Sequence, residues 1–514
     1  MSQTLLKALQ NPALFDHPVS EFTLMETHIS WVLLTGDYVY KIKKPVNFGF
    51  LDYSTVEQRA HFCAEEIRLN RRLAPSLYLD VIAVRGTAES PTLKGDGPVI
   101  EYLVKTRQFR QQDLLGNMQR EGRLENWHID ELAKTLSRFH AQIDHASIDM
   151  PYGNPDQIQA PAVQNFEQIR PFLTAKEDLN QLEQLEQWAN TTFQRLIPQM
   201  AERKAAGMVR ECHGDIYLDN VTMVDGQVTL FDCIEFNEAF RWIDVMSDVA
   251  FMAMDLEDRG LPGMAQRFVS GYLENTGDYE GLALLNYYKA YRAMVRAKVA
   301  LFGLSDNSTE AEREQIMQRY RGYAGLAERY TNVPTRFGLV TVGLSGSGKS
   351  TLAQNLVSEL GAIRIRSDVE RKRLFGSADN QNLDAGLYDP ERSAKTYDRL
   401  AGLAGLILSY GFPVVVDATF LKHAQRQQIR DAIEEQCAPC LLLHCEVALE
   451  TIEQWIKQRH TQGTDPSDAT VAVVKLQQQQ AEGLDEQEQQ ISLAVDTSSD
   501  TSIKALMEQL KKRL

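Results

Sequence analysis

The chain is poor in cysteine for its length, with six cysteines in 514 residues. So few thiols do not form the disulfide framework of a small secreted protein. No apolar run approaches the length of a membrane-spanning helix, and the first residues lack the basic and then apolar pattern of a signal peptide. The sequence therefore predicts a cytoplasmic protein that is not attached to a membrane.

Positive charge is also scarce, because 54 lysines and arginines stand against 70 aspartates and glutamates, for a net charge of −16. This balance implies no broad basic surface, so nucleic acid is disfavoured as a partner. A local basic pocket for a phosphorylated substrate is not excluded. The length predicts roughly two to four domains with sizeable cores. The sequence gives no indication of the oligomeric state.

The stretch 213–232 contains an Asp-Gly pair between two short β-rich runs. Asp225 and Gly226 tolerate positive φ, which favours a two-residue type I′ hairpin. Closing this hairpin places Asn220 opposite Phe231. Asn220 and the following Asp232 are then expected at the same end of one ribbon.

Three oxygen-bearing side chains are brought together by this arrangement, because Asp215 lies on the loop that feeds the hairpin. One carboxylate, that of Asp215, can meet a substrate hydroxyl, while Asn220 and Asp232 can hold Mg²⁺. Phosphoryl transfer needs this set, since its catalysis is mainly positioning and neutralisation of phosphate charge. The spacing from Asp215 to Asn220 equals that of the protein-kinase catalytic loop, with Gly214 in place of arginine. The bland alternative is an ordinary hairpin with surface acids.

The run His213-Gly214-Asp215, with Asn220 and the later Asp232, resembles the HGDxxxxN loop and metal-binding aspartate of the aminoglycoside phosphotransferase (APH) family of kinase-like enzymes. The resemblance implies a two-lobed α+β kinase-like domain over residues 1–330, with a small lobe over about 1–105 and a large lobe over about 106–330. It also implies ATP and Mg²⁺ as cofactors.

A lysine that pairs the ATP phosphates is expected on the second strand of a hairpin predicted at 29–43. Lys41 and Lys43 both qualify, because alternate residues of a strand share a face. Lys41 is favoured, since Val39 two residues earlier suits the roof of an adenine site better than a lysine does. No glycine-rich loop flanks this hairpin.

The charged helix predicted at 62–73 takes the place of the kinase helix whose glutamate pairs that lysine. Glu65 and Glu66 are adjacent, so only one of them can face the cleft; comparison with the APH pattern favours Glu66. A solvated helix face is the alternative. The strand predicted at 99–104 would form the hinge that meets adenine through its backbone.

Further polar residues follow or precede the hairpin. Asp244 and Asp248 are four residues apart and would share a helix face, with Asp248 bracing the catalytic loop. Glu235 is a candidate helper for the metal, and His140 is expected to be a structural helix histidine. Two locations are equally compatible with the sequence for Arg292, Arg296 and Lys298: they line a substrate pocket, or they lie on a solvated helix face.

The second half carries a nucleotide-binding loop between a predicted strand at 337–342 and a predicted helix from Thr351. It matches G-x-x-x-x-G-K-[ST], a loop whose backbone N–H groups and helix N-terminus wrap a polyphosphate. Lys349 is expected to reach the β- and γ-phosphates, and Ser350 to bind Mg²⁺. The residues expected to bind nucleotide are Gly343, Ser345, Gly346, Ser347, Gly348, Lys349, Ser350 and Thr351.

Strands alternate with helices after this loop, which predicts an α/β P-loop NTPase domain with a doubly wound parallel sheet over residues 336–514. Ser367-Asp368, Asp417-Ala418-Thr419 and a basic helix followed by a lid loop resemble the small P-loop kinases, such as gluconate kinase, polynucleotide kinase and zeta toxin. The resemblance implies that Asp368 meets the acceptor hydroxyl, Asp417 supports Mg²⁺ and Arg459 closes over the phosphates. A helix cap is the alternative for Asp368.

The function predicted from these two halves is that of an ATP-dependent kinase with two nucleotide sites. It would transfer the γ-phosphate to hydroxyl groups of a small molecule whose identity the sequence does not reveal. One alternative is a regulatory ATP-binding or ATPase switch with a degenerate kinase domain. Another is a nucleic-acid 5′-hydroxyl kinase in the second half.

Overall fold

The computed structural model describes residues 3–49, 51–305, 307–332, 335–376, 390–462 and 470–514, and of residues 458–462 the backbone only. The chain divides into two compact units. Unit 1 comprises Met1–Asp255 and Tyr287–Ala324, and unit 2 comprises Leu256–Asn286 and Gly325–Leu514. The single domain boundary expected between residues 330 and 336 stays a prediction. Within the described residues, no helix has the length and apolar character needed to cross a bilayer.

Unit 1 contains a six-stranded sheet with the order β1-β2-β3-β6-β4-β5. Its strands are β1 Thr23–Glu26, β2 Ser30–Leu34, β3 Tyr38–Lys43, β4 Tyr78–Gly86, β5 Pro91–Thr92 and β6 Val99–Arg107. Neighbouring residues of β6 point to opposite faces of the sheet, because side chains alternate along a strand. Leu103 packs with Leu33 and Tyr40, whereas Val104 packs with Cys63 and Ile67 of the helix Val56–Asn70.

Helix α2, Val56–Asn70, begins with a capping box formed by Thr55 and Gln58. Its buried positions include Cys63, Glu66, Ile67 and Asn70, which follow the three-and-four spacing of one helix face. Glu66 is therefore carried into the interior by the same face that packs on the sheet.

Unit 1 also contains two small antiparallel sheets, β7 with β10 and β8 with β9, and several further helices, of which the first, Gln3–Ala8, packs on the six-stranded sheet. The strands are β7 Val209–Glu211, β8 Val221–Val224, β9 Gln227–Leu230 and β10 Trp242–Asp244. The helices are α1 Gln3–Ala8, α3 Leu115–Arg120, α4 Asn126–Gln142, α5 Pro155–Ile169, α6 Lys176–Ala205, α7 Val245–Asp258 and α10 Glu310–Arg329. Helices α7 and α10 each continue a few residues into unit 2, and α9, Leu282–Leu301, runs from unit 2 into unit 1.

The hairpin predicted around Asp225-Gly226 is present in the structure. Val224 pairs with Gln227, and Asp225 and Gly226 have φ of 49° and 78°. The Phe231 N–H donates to the Asn220 carbonyl at 3.1 Å, so these two residues face each other as predicted.

The prediction that Asp244 and Asp248 share a helix face is wrong. Asp244 is the last residue of β10, and helix α7 begins only at Val245. Its carboxylate pairs instead with the guanidinium of Arg203, at 2.7 Å. A strand residue was mistaken for a helical one because Trp242 to Asp244 pair with β7, a contact far away in the sequence.

Unit 2 contains a five-stranded parallel sheet with the order β12-β13-β11-β14-β15, which confirms the predicted fold class. The strands are β11 Gly338–Val342, β12 Ile363–Arg366, β13 Val414–Asp417, β14 Cys440–Glu446 and β15 Ser492–Asp496. The helices are α8 Pro262–Thr276, α11 Lys349–Leu360, α12 Ser367–Phe375, α13 Pro390–Ser409, α14 His423–Glu434, α15 Leu449–Gln462, α16 Val471–Gln480, α17 Glu486–Gln490 and α18 Asp500–Arg513. Leu352 and Leu356 of α11 pack with Leu506 of α18 against this sheet.

Helix α8 lies against β12, the edge strand of this sheet. Ser270 Oγ accepts from the Arg364 N–H at 3.0 Å, and Glu274 accepts from the Arg364 and Arg366 guanidinium groups at 2.7 and 3.3 Å. An edge strand presents unpaired backbone groups that must be covered. A segment far earlier in the chain than the P-loop thus covers this edge.

Candidate active sites

The loop from His213 to Asn220, the predicted catalytic loop of unit 1, holds Asp215 and Asn220 in direct contact. The Asn220 amide nitrogen donates to the Asp215 carboxylate at 3.1 Å and to the Asp215 carbonyl at 2.9 Å. Because Nδ2 faces Asp215, Oδ1 is the amide atom left to bind a cation. Among the described residues, none donates a hydrogen bond to that oxygen.

Asp248 holds the same loop from beneath. Its carboxylate accepts the backbone N–H groups of His213 and Gly214, both at 2.9 Å, and lies 3.4 Å from His140 Nε2. Burial opposes the ionisation of Asp248, but its bond with His140 and the nearby positive charges outweigh that effect and lower its pKa. The predicted brace and the structural role of His140 agree with these contacts.

Gly214 has a conformational reason to replace the arginine of protein kinases. Its φ is +88°, and a Cβ at this position would lie 2.7 Å from the Phe240 carbonyl oxygen. Only glycine adopts this left-handed conformation without strain and without displacing the neighbouring backbone.

The Asp215 carboxyl has a pKa raised to about 6. Burial is the largest cause, the negative charge of Asp232 adds to it, and the charges of Arg296 and Arg292 act in the opposite direction. A carboxyl with a pKa near neutrality can both accept and release a proton at physiological pH, as a general base requires.

Asp232 is held at the end of the hairpin by contacts that the sequence did not reveal. Its backbone N–H donates to the Tyr78 hydroxyl at 3.2 Å, and the next N–H, of Cys233, donates to Asn70 Oδ1 at 2.9 Å. Tyr78 and Asn70 precede the hairpin by about 150 residues, with no local motif to indicate them.

Lys41 meets both acids expected near it. Its ammonium lies 2.7 Å from Asp232 Oδ1 and 3.0 Å from Glu66 Oε1. The prediction of Glu66 over Glu65 agrees with this geometry, because Glu65 pairs with Arg68 on the outside of α2. Asp232 Oδ2 accepts no hydrogen bond from the described residues, so this oxygen and Asn220 Oδ1 together form a donor set suited to Mg²⁺.

Lys43 has a different environment on the same face of β3. Its ammonium is fully buried, lies 2.6 Å from Glu66 Oε2 and contacts Glu235, which also accepts from the Tyr53 hydroxyl at 2.5 Å. Glu235, a candidate metal helper, is therefore engaged by Lys43 and Tyr53.

Arg292 of α9 supports the catalytic loop. Its guanidinium donates to the Gly214 carbonyl at 3.0 Å and to the Ser247 hydroxyl at 3.0 Å. It is buried, so a solvated face is the wrong interpretation for this residue.

The nucleotide-binding loop of unit 2 connects β11 to α11, which begins at Lys349, two residues before the predicted start. Gly343, Gly346 and Gly348 have φ of 150°, 81° and 77°, values that glycine adopts freely. A Cβ on Gly348 would lie 2.7 Å from the Thr497 hydroxyl oxygen. The Thr497 hydroxyl also donates a hydrogen bond to the Ser347 carbonyl at 2.6 Å, which fixes the backbone of the loop at Ser347.

Two groups of this loop that are expected to meet phosphate bond to the protein itself. The Ser345 N–H donates to Gln477 Oε1 at 2.9 Å, and Gln477 Nε2 donates to Ser345 Oγ at 3.0 Å. The Lys349 ammonium donates to the Leu344 carbonyl at 2.5 Å. Gln477 was not expected at this loop.

Ser350 and Thr351 lie in the first turn of α11, and Asp417 ends β13. Asp417 Oδ2 is buried without a hydrogen-bond partner and lies 3.7 Å from Arg366 Nε. A buried carboxylate oxygen of this kind, with the Ser350 hydroxyl, suits the oxygen ligands that Mg²⁺ prefers.

Asp368 lies in the first turn of α12, whose N-cap is Arg366, so the helix-cap interpretation of Asp368 is wrong. Burial raises its pKa, and its charge interacts with those of Asp417 and Lys349. The Arg459 side chain and most of the predicted lid loop lie outside the described residues.

Comparison with known proteins gives family matches for both halves. Residues 31–285 match the model described as "Phosphotransferase enzyme family" (APH), and residues 339–484 match the model described as "AAA domain" (AAA_33). The enzyme class predicted from the sequence, a phosphotransferase, is confirmed by the first match.

An uncharacterized protein of Mycobacterium tuberculosis is 28% identical over 469 residues, which are 90% of this chain and 92% of that protein. An adenylyl-sulfate kinase of Paraburkholderia xenovorans is 36% identical over 98 residues, 18% of this chain and 50% of that protein. A choline/ethanolamine kinase family protein from Mesorhizobium loti, known from a crystal structure, is 12% identical, with a TM-score of 0.40 over 64% of this chain and 97% of that chain.

The first part of the chain thus matches the APH phosphotransferase family model, and it is joined to a P-loop domain of the kind matched by the AAA_33 model.

Proposed function

We propose that unit 1 transfers the γ-phosphate of ATP to a hydroxyl group of a small molecule, and that unit 2 is a second ATP-dependent phosphotransfer site. The observation that supports this most directly is the grouping of Asp215 with Asn220, and of Asp232 with Lys41, at the end of the hairpin. Catalysis of phosphoryl transfer rests on positioning and electrostatics, which this set can supply.

In unit 1 the proposed roles follow from the contacts. Asp215 positions and deprotonates the acceptor hydroxyl, since its raised pKa leaves it ionised at neutral pH but able to take a proton. Asn220 and Asp232 would hold Mg²⁺, which neutralises phosphate charge when bound.

Lys41 is the proposed phosphate-pairing lysine. Its side chain is 19% exposed, whereas that of Lys43 is 1% exposed and enclosed by Glu66 and Glu235. Glu66 orients Lys41 rather than touching the nucleotide.

In unit 2 the loop from Gly343 to Thr351 would cradle the phosphates through its backbone N–H groups. Lys349 would leave the Leu344 carbonyl to meet them, and Ser350 and Asp417 would hold Mg²⁺. Asp368 is the proposed contact for the acceptor hydroxyl, and Arg459 the proposed contact for the phosphates.

The test uses the full-length protein with γ-labelled ATP, Mg²⁺ and a deproteinised cell extract. Asp215→Asn and Lys349→Ala each remove one site, and Asp225→Asn, on the exposed turn of the hairpin, is the matched control. Loss of the general base is expected to lower transfer by unit 1 about 10²- to 10⁴-fold. A product lost in one variant assigns its acceptor to that unit, and a product lost in both indicates coupled sites.

A nucleotide-binding switch is the second candidate for unit 2, because Ser345 and Lys349 of its loop are bonded to Gln477 and Leu344. ATP binding or turnover in that unit without any labelled product would favour the switch. A 5′-hydroxyl oligonucleotide added as acceptor tests the remaining alternative, a nucleic-acid kinase.

A further inference from the structure

One arginine beside the catalytic loop of unit 1, Arg296, makes no hydrogen bond to that loop within the described residues. Arg296 lies one helical turn after Arg292 on α9, and its guanidinium carbon is 5.0 Å from the centre of the Tyr217 ring. Tyr217 is two residues beyond Asp215, and the charges of Arg296 and Asp215 interact. Arg296 therefore lies close enough to the proposed base for the two charges to interact.

Arg296 forms no ion pair with an acid of the described residues, although the charge of Asp215 acts on it from farther away. Of the carboxylates that the structure describes, none lies within 4.0 Å of its guanidinium. Its hydrogen bond within the described chain runs from Nε to the Tyr323 hydroxyl at 3.3 Å, which leaves the two terminal nitrogens available. A half-buried guanidinium is costly to leave without a counter-charge.

Other buried arginines of unit 1 satisfy that requirement with protein groups. Arg59 meets Glu101 at 2.8 Å, and Arg203 meets Asp244 at 2.7 Å. Arg292 lacks an acid, but its donors are used by Gly214 and Ser247. Arg296 differs from all three, because within the described chain its two terminal nitrogens meet neither an acid nor a backbone or hydroxyl acceptor.

A second arginine reinforces the positive charge at this place. The Tyr323 hydroxyl also accepts a hydrogen bond from the exposed Arg319, whose guanidinium carbon is 4.3 Å from the centre of the Tyr323 ring. Two arginines thus share one buried tyrosine, with Arg296 nearer to the catalytic loop.

We propose that the acceptor of unit 1 carries an anionic group, a phosphate, sulfate or carboxylate, which Arg296 binds while the acceptor hydroxyl faces Asp215. The inference rests on the proposed function of unit 1. A planar guanidinium fork is the side chain best matched to such anions, because it can donate two parallel hydrogen bonds.

The reaction balances with this acceptor. Its hydroxyl oxygen forms a bond to the γ-phosphorus, the bond from that phosphorus to the β–γ bridging oxygen breaks, and ADP leaves. The hydroxyl proton goes to the Asp215 carboxylate, while Arg296 keeps the anionic group in place and takes no part in bond making.

The first test asks for the charge of the acceptor. The full-length Lys349→Ala variant, in which unit 2 is silenced, is given γ-labelled ATP and Mg²⁺ with a deproteinised extract separated on an anion exchanger at neutral pH. Labelled product is expected when the acceptor comes from the fraction that the anion exchanger retains. Prior treatment with a phosphatase abolishes it if the anionic group is a phosphomonoester, and leaves it unchanged for a sulfate or carboxylate.

The second test asks whether Arg296 binds that group. With the retained fraction as acceptor, Arg296→Gln is expected to raise the apparent KM for acceptor about 10- to 100-fold, the value of a lost charge-assisted hydrogen bond. The KM for ATP is expected to change less than about twofold. In the control Arg313→Gln, the KM for acceptor and the KM for ATP are both expected to change less than about twofold. Arg313 is exposed on α10 and donates only to Ser305 and Ser308 carbonyls in the described chain.

Each other outcome decides against the inference. Product from the unretained fraction overturns it and leaves the proposed function standing, whereas no product from any fraction overturns both. A raised KM for ATP with an unchanged KM for acceptor assigns Arg296 to the nucleotide. If Arg296→Gln does not fold, Arg296→Lys and the exchanger experiment decide, because the latter needs no change at Arg296.

Discussion

The lysines of the two proposed phosphate sites have different partners. Lys41 of unit 1 is held by the carboxylates of Asp232 and Glu66, which come from segments up to 191 residues away. Lys349 of unit 2 is bonded to Leu344 of its own loop, five residues away. One site is assembled from side-chain charges of distant segments, whereas the other is a local conformation of the backbone.

The two sites therefore differ in how much of the arrangement that binds phosphate is already present without nucleotide. In unit 1 the acids fix the lysine in place, so the charge arrangement is present without ligand. In unit 2 the loop has the required shape, but Ser345 and Lys349 must exchange protein partners for phosphate oxygens. We expect unit 1 to be sensitive to changes of charge, and unit 2 to changes that free or block its loop.

The largest effect expected from this comparison is on stability. Lys43→Met would leave Glu66 and Glu235 buried beside each other without their shared cation, at a cost of about 3–5 kcal/mol. Lys41→Met is expected to cost less, because the Asp232 side chain is 41% exposed, and to abolish transfer instead. Urea-induced unfolding of the full-length variants measures the first effect, and labelled transfer measures the second.

Lys134→Met is the matched control, because its ammonium pairs with Glu131 on an exposed helix face. Its effect is expected to be below about 1 kcal/mol. Equal stability of Lys43→Met and Lys134→Met would contradict a structural role for Lys43, and would reopen the choice between the two lysines.

An intermediate effect is expected on the pH profile of unit 1. The Asp215 pKa is raised from 3.8 to about 6, so kcat/KM in the Lys349→Ala background should fall about tenfold for each pH unit below that pKa. Arg296→Gln removes a charge that lowers this pKa, so the midpoint should move to higher pH. A profile that is flat from pH 5 to 8, roughly the range in which a raised carboxyl titrates, would show that Asp215 is not the base.

The raised pKa of Asp215 also affects stability, which is expected to fall with rising pH where activity is expected to rise. The folded chain binds the Asp215 proton more tightly than the unfolded chain, so this group lowers the free energy of unfolding as pH rises from about 4 to 6. Asp215→Asn is expected to remove that component, so the variant should be the more stable protein above the pKa.

The smallest effect is expected at the loop of unit 2. Gln477→Ala frees the Ser345 N–H, so ATP should bind about 2- to 10-fold more tightly, the value of one hydrogen bond. Calorimetry in the Lys41→Met background measures this Kd, and Gln478→Ala, an exposed neighbour, is the control. Weaker binding in Gln477→Ala would mean that this side chain supports the loop rather than competing with phosphate.

The same contrast explains what the sequence predicted. The P-loop and the Asp225-Gly226 hairpin depend on residues a few positions apart, so turn chemistry and motif spacing were sufficient. Asp215, Asn220 and Asp232 were predicted as a group because the hairpin places the last two at the same end of one ribbon.

Contacts between residues distant in sequence were predicted only where the family resemblance indicated them, as for Lys41 with Glu66. Tyr78 and Asn70 hold the backbone around Asp232, but neither belongs to a motif. Asp244 was assigned to a helix because its pairing with β7 is not encoded nearby, and Arg292 was left open because only the folded loop shows what it binds. Gln477 was missed for the same reason: it reaches Ser345 from 132 residues away.

Helix α8 has a consequence for the order in which the protein can be made. The chain enters unit 2 at Leu256, returns to unit 1 at Tyr287 and enters unit 2 again at Gly325. During synthesis, Ser270 and Glu274 therefore emerge before any strand of the sheet whose edge they cover. Unit 2 can fold completely only after residues 325–514 have been synthesised, although its segment 256–286 is made earlier. Dividing the chain at one position therefore does not separate the two units.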